Sequence, residues 1–379
     1  MAYPGCQIWF AKDGIVVQNE AYGYHTYSTE KAVLKSDLYD LASITKIAGS
    51  VAGLMKLNDE GSFNLDYRLC DYLSEWVDTT SYMQLTMREI LAHQAGLTPW
   101  IPFYTKTISK GVPRYDVYSL AQSETYPLRV AREFYIRGDY PDKMFQQILN
   151  YKLSPEKKYK YSDIGYYFAL RIIESQSKMP LDKFLDQSYY KPLGLSTMGY
   201  RPLEKFSKDR IAPTEYDRNF RNQLVHGDVH DPGAAMLGGV GGHAGLFSNT
   251  NDLGILMQMY LNKGVYGGRQ YIKPETIDEY TKCQFCENDN RRGAGFDKPT
   301  TDRSPGPSCG CTDLEAFGHQ GFTGTVTWAD PGENVVFVFL SNRIYPDAGN
   351  KKLQELNIRT DIQNAFYKAI ENGKDLAVE

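Results

Sequence analysis

No apolar run in this sequence approaches the length of a membrane-crossing helix; Val335 to Leu340 is among the longest and suits a buried strand. A basic stripe is also missing. The 42 Lys and Arg residues stand against 46 Asp and Glu, a net charge of −4, which leaves no electrostatic footprint for nucleic acid. No Gly-Lys-Ser/Thr follows the glycine-rich stretch, and no dinucleotide fingerprint lies between a strand and a helix, so nucleotide-dependent readings fail. No charged-then-apolar leader opens the chain, which starts almost at once on the strand candidate Cys6-Gln7-Ile8-Trp9-Phe10. The expectation is that a targeting sequence or an upstream domain precedes Met1 in the full-length protein.

What is present suits one large or two intimately joined globular domains: 379 residues, 42% hydrophobic and 23% charged. Twenty-nine tyrosines are many for this length, and phenols suit damp clefts as well as cores. Ile8–Phe10 and Ile15–Tyr22 flank Lys12-Asp13-Gly14, a hairpin signal. Helices are predicted from Ser43 towards Gly61, over Leu85–Leu97, from Tyr159 through Ile172, over 181–195, over Asn251–Leu261 and over Leu353–Ile370. A second hairpin joins Thr323–Trp328 to Val335–Leu340 through Asp330-Pro331-Gly332. Residues 98 to 150 are the least regular, rich in Pro and Tyr, and read as a lid-like insertion or covering flap. The glycine-dense stretch 231–250 suits close backbone packing around a cleft.

Chemistry concentrates at Leu41-Ala42-Ser43-Ile44-Thr45-Lys46, where an extended segment turns into a helix. Ile47, Val51, Leu54 and Met55 form its apolar face. Ser43 and Lys46 lie three apart, so hydroxyl and amine can meet at the electropositive end of the helix. A buried lysine beside another cation can lose enough basicity to act as a base. Ser-x-x-Lys alone is a weak signal, because both residue types are ordinary in a first helical turn. A serine acylase also needs a proton shuttle and oxyanion donors. Tyr161, heading Tyr-Ser-Asp, can supply the first, since a phenol held between two cations can pass a proton. Phe317-Gly318-His319-Gln320-Gly321-Phe322-Thr323 can supply the second. His93 is read as pinned to backbone carbonyls at a helix end rather than as a base.

Ser-x-x-Lys, then Tyr-x-Asn/Asp, then His/Lys-x-Gly, in that order, resembles the serine β-lactamase and penicillin-binding-protein superfamily. The branch it looks most like is the class C type with its DD-peptidases and esterases. Leu91-Ala92-His93-Gln94-Ala95-Gly96-Leu97 and Gly242-His243-Ala244-Gly245-Leu246-Phe247-Ser248 resemble two further segments of that branch. The similarity runs from about residue 5 to residue 370; single motifs are weak, five in order are specific. The resemblance implies Ser43 as acylated nucleophile, Lys46 as base or relay, and Tyr161 as shuttle. It puts Asp163 in a place usually taken by Asn and His319 at the third motif's basic position. It implies an oxyanion hole made by the Ser43 and Phe322 backbone N–H groups, with Gly321 allowing close approach. Asp163 is expected to raise the Lys46 pKa. His319 replaces the Lys of true β-lactamases, a weaker cation at neutral pH. Both departures favour an esterase, amidase or DD-peptidase over a true class C β-lactamase. The remaining alternative is a non-catalytic binding domain that keeps the cleft.

The expected fold is α+β and β-lactamase/transpeptidase-like: an α/β sandwich whose antiparallel sheet is built from both chain ends, plus an inserted all-α lobe. Residues 1–45 and 251–379 are expected to form the sheet lobe and 46–250 the helical lobe, with the active site at the junction. No cofactor is expected. Cys283, Cys286, Cys309 and Cys311 could form two disulfides, a structural zinc site or free thiols, while Cys6 and Cys70 read as core residues. The expected partner is a small-molecule or peptidoglycan-derived substrate, in a periplasmic or otherwise extracytoplasmic bacterial setting.

Overall fold

The computed structural model describes residues 1–376. Five strands form its main antiparallel sheet: β1 (Gly5–Lys12), β2 (Ile15–Gly23), β3 (Phe317–Gln320), β4 (Val326–Asp330) and β5 (Val335–Ser341). Their order is β3-β4-β5-β1-β2, so the two ends of the chain meet where β1 pairs β5, with Trp9 opposite Val338. Period-two alternation decides which residue faces which layer. Phe10, Trp328, Phe337 and Phe339 point to one side, where Ile358, Ile362, Phe366 and Ile370 of the C-terminal helix cover them. Trp9, Val336, Val338 and Leu340 point to the other side and join a core continuous with the helices. That is why β5 is buried along its whole length.

Four helices frame the site: α1 (Ala52–Asp59), α2 (Gly165–Ser177), α3 (Thr250–Leu261) and α4 (Ile358–Leu376). Helix α3 lies on the inner face of the sheet and is capped by Asn249, whose side chain accepts the Asp252 amide. Ile47, Val51, Leu54 and Met55 are all buried, as their spacing predicts.

Several predicted elements take other forms. The Ser43 helix begins as a 3₁₀ turn over Ala42–Ile44, widens to a π-helix over Lys46–Val51, and only then becomes α1. The Leu85–Leu97 helix is confined to Met87–Leu91, because His93 (φ 57°) and Gly96 (φ 70°) leave the helical region. The predicted C-terminal helix is broken at Asn357 (φ 52°) into Lys352–Glu355 and α4. Strand β4 starts at Val326 rather than Thr323, since Gly321–Thr325 closes a turn. Residues 98–150 are not irregular throughout: Tyr118–Ser119, Leu128–Ala131 and Phe134–Ile136 form a three-stranded sheet, and Tyr140–Leu149 is a helix. Phe103, Tyr118 and Phe134 of this stretch are buried in the main core.

The cysteines pair locally, Cys283 with Cys286 and Cys309 with Cys311, the disulfide arrangement among the three that spacing left open. Cys6 is buried, but Cys70 is only partly so, because it lies at the outer start of the helix Leu69–Val77.

Candidate active site

The segment before Ser43 is held from three sides. Strand residues Tyr39–Asp40 pair with Phe247–Ser248, and the Leu41 amide donates to Leu246 O at 2.9 Å. Buried Asp40 accepts the Ala42 amide at 2.8 Å and the His230 amide at 2.7 Å. Ala42 itself sits at φ 48°, a left-handed conformation that costs a non-glycine residue on the order of 1–3 kcal/mol and persists only where the surroundings enforce it. The third side is the β3–β4 loop. Thr323 Oγ1 donates to Asp40 O at 2.7 Å and Thr325 Oγ1 to Leu41 O at 3.1 Å. Gly321 fits between them: a Cβ there would lie 2.0 Å from Thr325 Oγ1 and 2.5 Å from Leu41 O. These contacts bring the Phe322 segment beside Ser43.

Ser43, Lys46, Tyr161 and Asp163 meet at one point. Lys46 Nζ donates to Ser43 Oγ at 2.9 Å and to His243 O at 3.2 Å, and forms an ion pair with Asp163 Oδ1 at 2.7 Å. Tyr161 OH donates to Ser43 Oγ at 3.0 Å. The lysine side chain is fully buried and Asp163 mostly so. Burial pulls the Lys46 pKa down, but the Asp163 carboxylate and Tyr161 outweigh it and hold it above its usual value. Burial likewise raises the Tyr161 phenol, with Lys46 opposing. The resting arrangement is therefore an ammonium with three acceptors around it and a neutral phenol, both hydrogen-bonded to the same hydroxyl oxygen.

The histidines serve these groups indirectly. His319 is buried, and burial together with the nearby Arg292 and Lys46 charges pushes its pKa well below the usual value. A neutral ring whose Nδ1 donates to Gln320 O (2.8 Å) leaves Nε2 to accept from Arg292 Nη1 (3.3 Å). His93 accepts the Ser162 amide on Nδ1 at 3.1 Å instead of capping carbonyls, and its ring lies 4.5 Å from that of Tyr161. The structure corrects that expectation because the His93 backbone has turned out of the helix. His243 Nε2 lies 2.7 Å from Asp231 Oδ1. Burial raises the Asp231 pKa, but His243 and the Ala234 amide outweigh it and hold the carboxyl below its usual range. The glycine-rich segment can deliver the His243 carbonyl to Lys46 because a Cβ on Gly242 would lie 2.1 Å from Tyr166 O.

A cavity of about 720 Å³ opens over Ser43 and Tyr161. Asp163, His319, Gly321 and Phe322 line it, so the residues singled out in the sequence share one site. Sequence reasoning missed Arg292, Arg343 and Arg359, which no motif marks, and Trp100, the residue of the 98–150 stretch that reaches the cavity. Arg343 Nη2 donates to Phe322 O at 2.7 Å, and Arg359 donates to Thr325 O at 3.0 Å and Gln320 Oε1 at 2.6 Å. Among the described residues neither arginine is in an ion pair, and burial lowers the pKa of both, Arg359 to about 10.

Comparison with known proteins points the same way. Residues 1–360 match the sequence profile of the family described as Beta-lactamase. A protein of Escherichia coli O157:H7, provisionally named D-alanyl-D-alanine carboxypeptidase, is 33% identical over 366 residues, covering 90% of this chain and 79% of its own. Two solved structures share the fold. A penicillin-binding-protein homolog from Caulobacter crescentus superposes with TM-score 0.62 at 19% identity, over 90% of this chain and 87% of its own. EstCE1, a hydrolase with promiscuous acyltransferase activity, superposes with TM-score 0.65 at 16% identity, over 90% and 89%.

Proposed function

The chain belongs to the beta-lactamase family, and on that premise we propose that it is a serine hydrolase working through an acyl-enzyme on Ser43, of the DD-peptidase or esterase type. The observation that carries the reading is the convergence of Lys46 Nζ and Tyr161 OH on Ser43 Oγ, at 2.9 and 3.0 Å. In acylation the Oγ–acyl bond forms and the bond to the leaving nitrogen or oxygen breaks. The hydroxyl proton passes to the Lys46–Tyr161 pair, and a proton from that pair goes to the leaving atom. In deacylation water supplies the attacking oxygen and Ser43 regains its proton. The backbone N–H groups of Ser43 and Phe322 serve as oxyanion donors, each contributing about 2.7–4 kcal/mol to the lowered barrier.

The substrate reading follows from charge. Arg343 and Arg359 stand at the Phe322 end of the cavity and, among the described residues, form no ion pair, which suits an acyl donor ending in a carboxylate, such as a cell-wall peptide. The neutral His319 and the Lys46–Asp163 pair argue against rapid β-lactam turnover. A cell-wall substrate implies an extracytoplasmic setting. Among the described residues no helix is long and apolar enough to cross a membrane.

The test is intact mass and peptide mapping after exposure to a fluorophosphonate and, separately, to a penicillin. Ser43 should carry the first label, and Ser43→Ala should abolish it while the fold survives; a label persisting at another residue would sink the assignment. A second reading, a binding domain that keeps the cleft with little turnover, is favoured by the ion pair that keeps Lys46 protonated. No label from either probe would select it.

A further inference from the structure

Tyr161 lies between two cations, and the second is not on the third motif. On one side Lys46 Nζ stands 5.1 Å from the phenol ring centroid. The side facing β3 holds His319, whose Nε2 accepts from Arg292 and whose ring is 6.1 Å from that of Tyr161. A proton on Nε2 would abolish that bond and set an imidazolium against a guanidinium in a buried space. The permanent charge there is Arg292 itself. Its Cζ lies 5.3 Å from the Tyr161 ring centroid and 5.8 Å from that of Tyr159. Its Nη2 is 3.3 Å from Asp297 Oδ2, which holds the guanidinium in place, and the side chain is only 6% exposed. Among the described residues the Arg292 Nε–H is buried without a hydrogen-bond partner.

Resting on the serine-hydrolase reading, we propose that Arg292 is a positioning residue that supplies, in place of His319, the fixed positive charge acting on Tyr161. Arg292 neither gives nor takes a proton. Neutral Lys46 takes the proton from Ser43 Oγ and becomes a cation, Tyr161 passes its phenolic proton to the leaving atom, and Lys46 then returns a proton to the phenol oxygen. Negative charge built up on the phenol oxygen during that exchange is stabilised by the two flanking cations. The other charged or titratable groups facing Tyr161 are Asp163 beside Lys46, His93 at 4.5 Å between ring centroids, and Tyr166, whose ring is tilted 46° to that of His93 and over which Lys46 also lies. Because the flanking charge is a guanidinium, reactivity should show no limb near the ordinary histidine pKa of about 6.5.

The experiment measures the rate of Ser43 labelling by a fluorophosphonate from about pH 6 to about pH 10, in the full chain and its variants, with thermal melting as a control. Arg292→Gln should slow labelling about tenfold or more and move the ascending limb to higher pH. Arg292→Lys should keep the limb near its wild-type position despite losing the fork. Equal losses in both variants with an unmoved limb would overturn the proposal and leave Arg292 a packing residue. Should Arg292→Gln fail to melt cooperatively, Arg292→Lys in a Tyr161→Phe background decides. A loss that vanishes in that background supports action through the phenol, and an additive loss refutes it. Labelling away from Ser43 in the unmodified chain would instead refute the serine-hydrolase reading.

Discussion

Lys46 can take a proton from Ser43 only when it is neutral, and its nearest charged neighbour works against that. Asp163 at 2.7 Å holds the ammonium, where an amide would not. Removing the carboxylate while keeping its shape should lower the Lys46 pKa, so the base form becomes available at lower pH. Asp163→Asn is expected to move the ascending limb of Ser43 acylation down by about 1–3 pH units. A pH–rate profile of fluorophosphonate labelling checks this, and an unmoved limb would mean that Lys46 is not the group titrating. This pairing was legible in the sequence because motif order put Asp163 two residues after Tyr161. The state of His319 was only half legible. Its identity announces a weak cation, but the bond from Arg292 that makes it an acceptor comes from a loop 27 residues away that carries no motif.

Elements announce themselves where packing repeats. The strand candidate at β1, the apolar run of β5 and the i, i+4, i+8 spacing of Ile362, Phe366 and Ile370 were readable because those residues pack into the cores on the two sides of the sheet. The left-handed turn at Ala42 that opens the Ser43 segment was not, since tertiary ties of Leu41 and Ala42 to Leu246, Asp40 and Thr325 hold it. Nor was the small sheet within 98–150, whose short strands fall below the length at which alternation is informative. Helix α3 offers a test of how tightly sheet and helix are fitted. A Cβ on Gly254 would come within 2.8 Å of three atoms of the Trp9 indole, a rigid neighbour that cannot swing aside. Alanine would gain about 0.5–1 kcal/mol in helix propensity, while overpacking costs about 1–3 kcal/mol. Gly254→Ala is therefore expected to destabilise, seen as a lower urea midpoint with an unchanged slope. A raised midpoint would mean that the helix can lift off the sheet without penalty.

Across the whole molecule, charge is distributed unevenly. The chain is acidic, at net −4, yet its main cavity collects Arg292, Arg343 and Arg359 above Lys46. Asp163, Asp231 and Asp297 in the same lining are each engaged, with Lys46, His243 and Arg292 respectively. Arg343 and Arg359, in no ion pair among the described residues, come one from the turn after β5 and one from α4, chain segments that sequence spacing could not bring to a common point. On the proposed function, a substrate carboxylate held by these two arginines orients the scissile bond towards Ser43. A charge-assisted hydrogen bond contributes about 1.5–3 kcal/mol, which corresponds to roughly 10–100-fold in kcat/KM. A peptide ending in a free D-alanyl-D-alanine carboxylate should be cleaved faster than its C-terminal amide by about that factor, and only the acid should lose rate as salt is added. Equal rates for acid and amide at low ionic strength would show that Arg343 and Arg359 serve only the Phe322–Thr325 loop to which they are already bonded, and substrate selection would then have to come from the acyl side of the cleft.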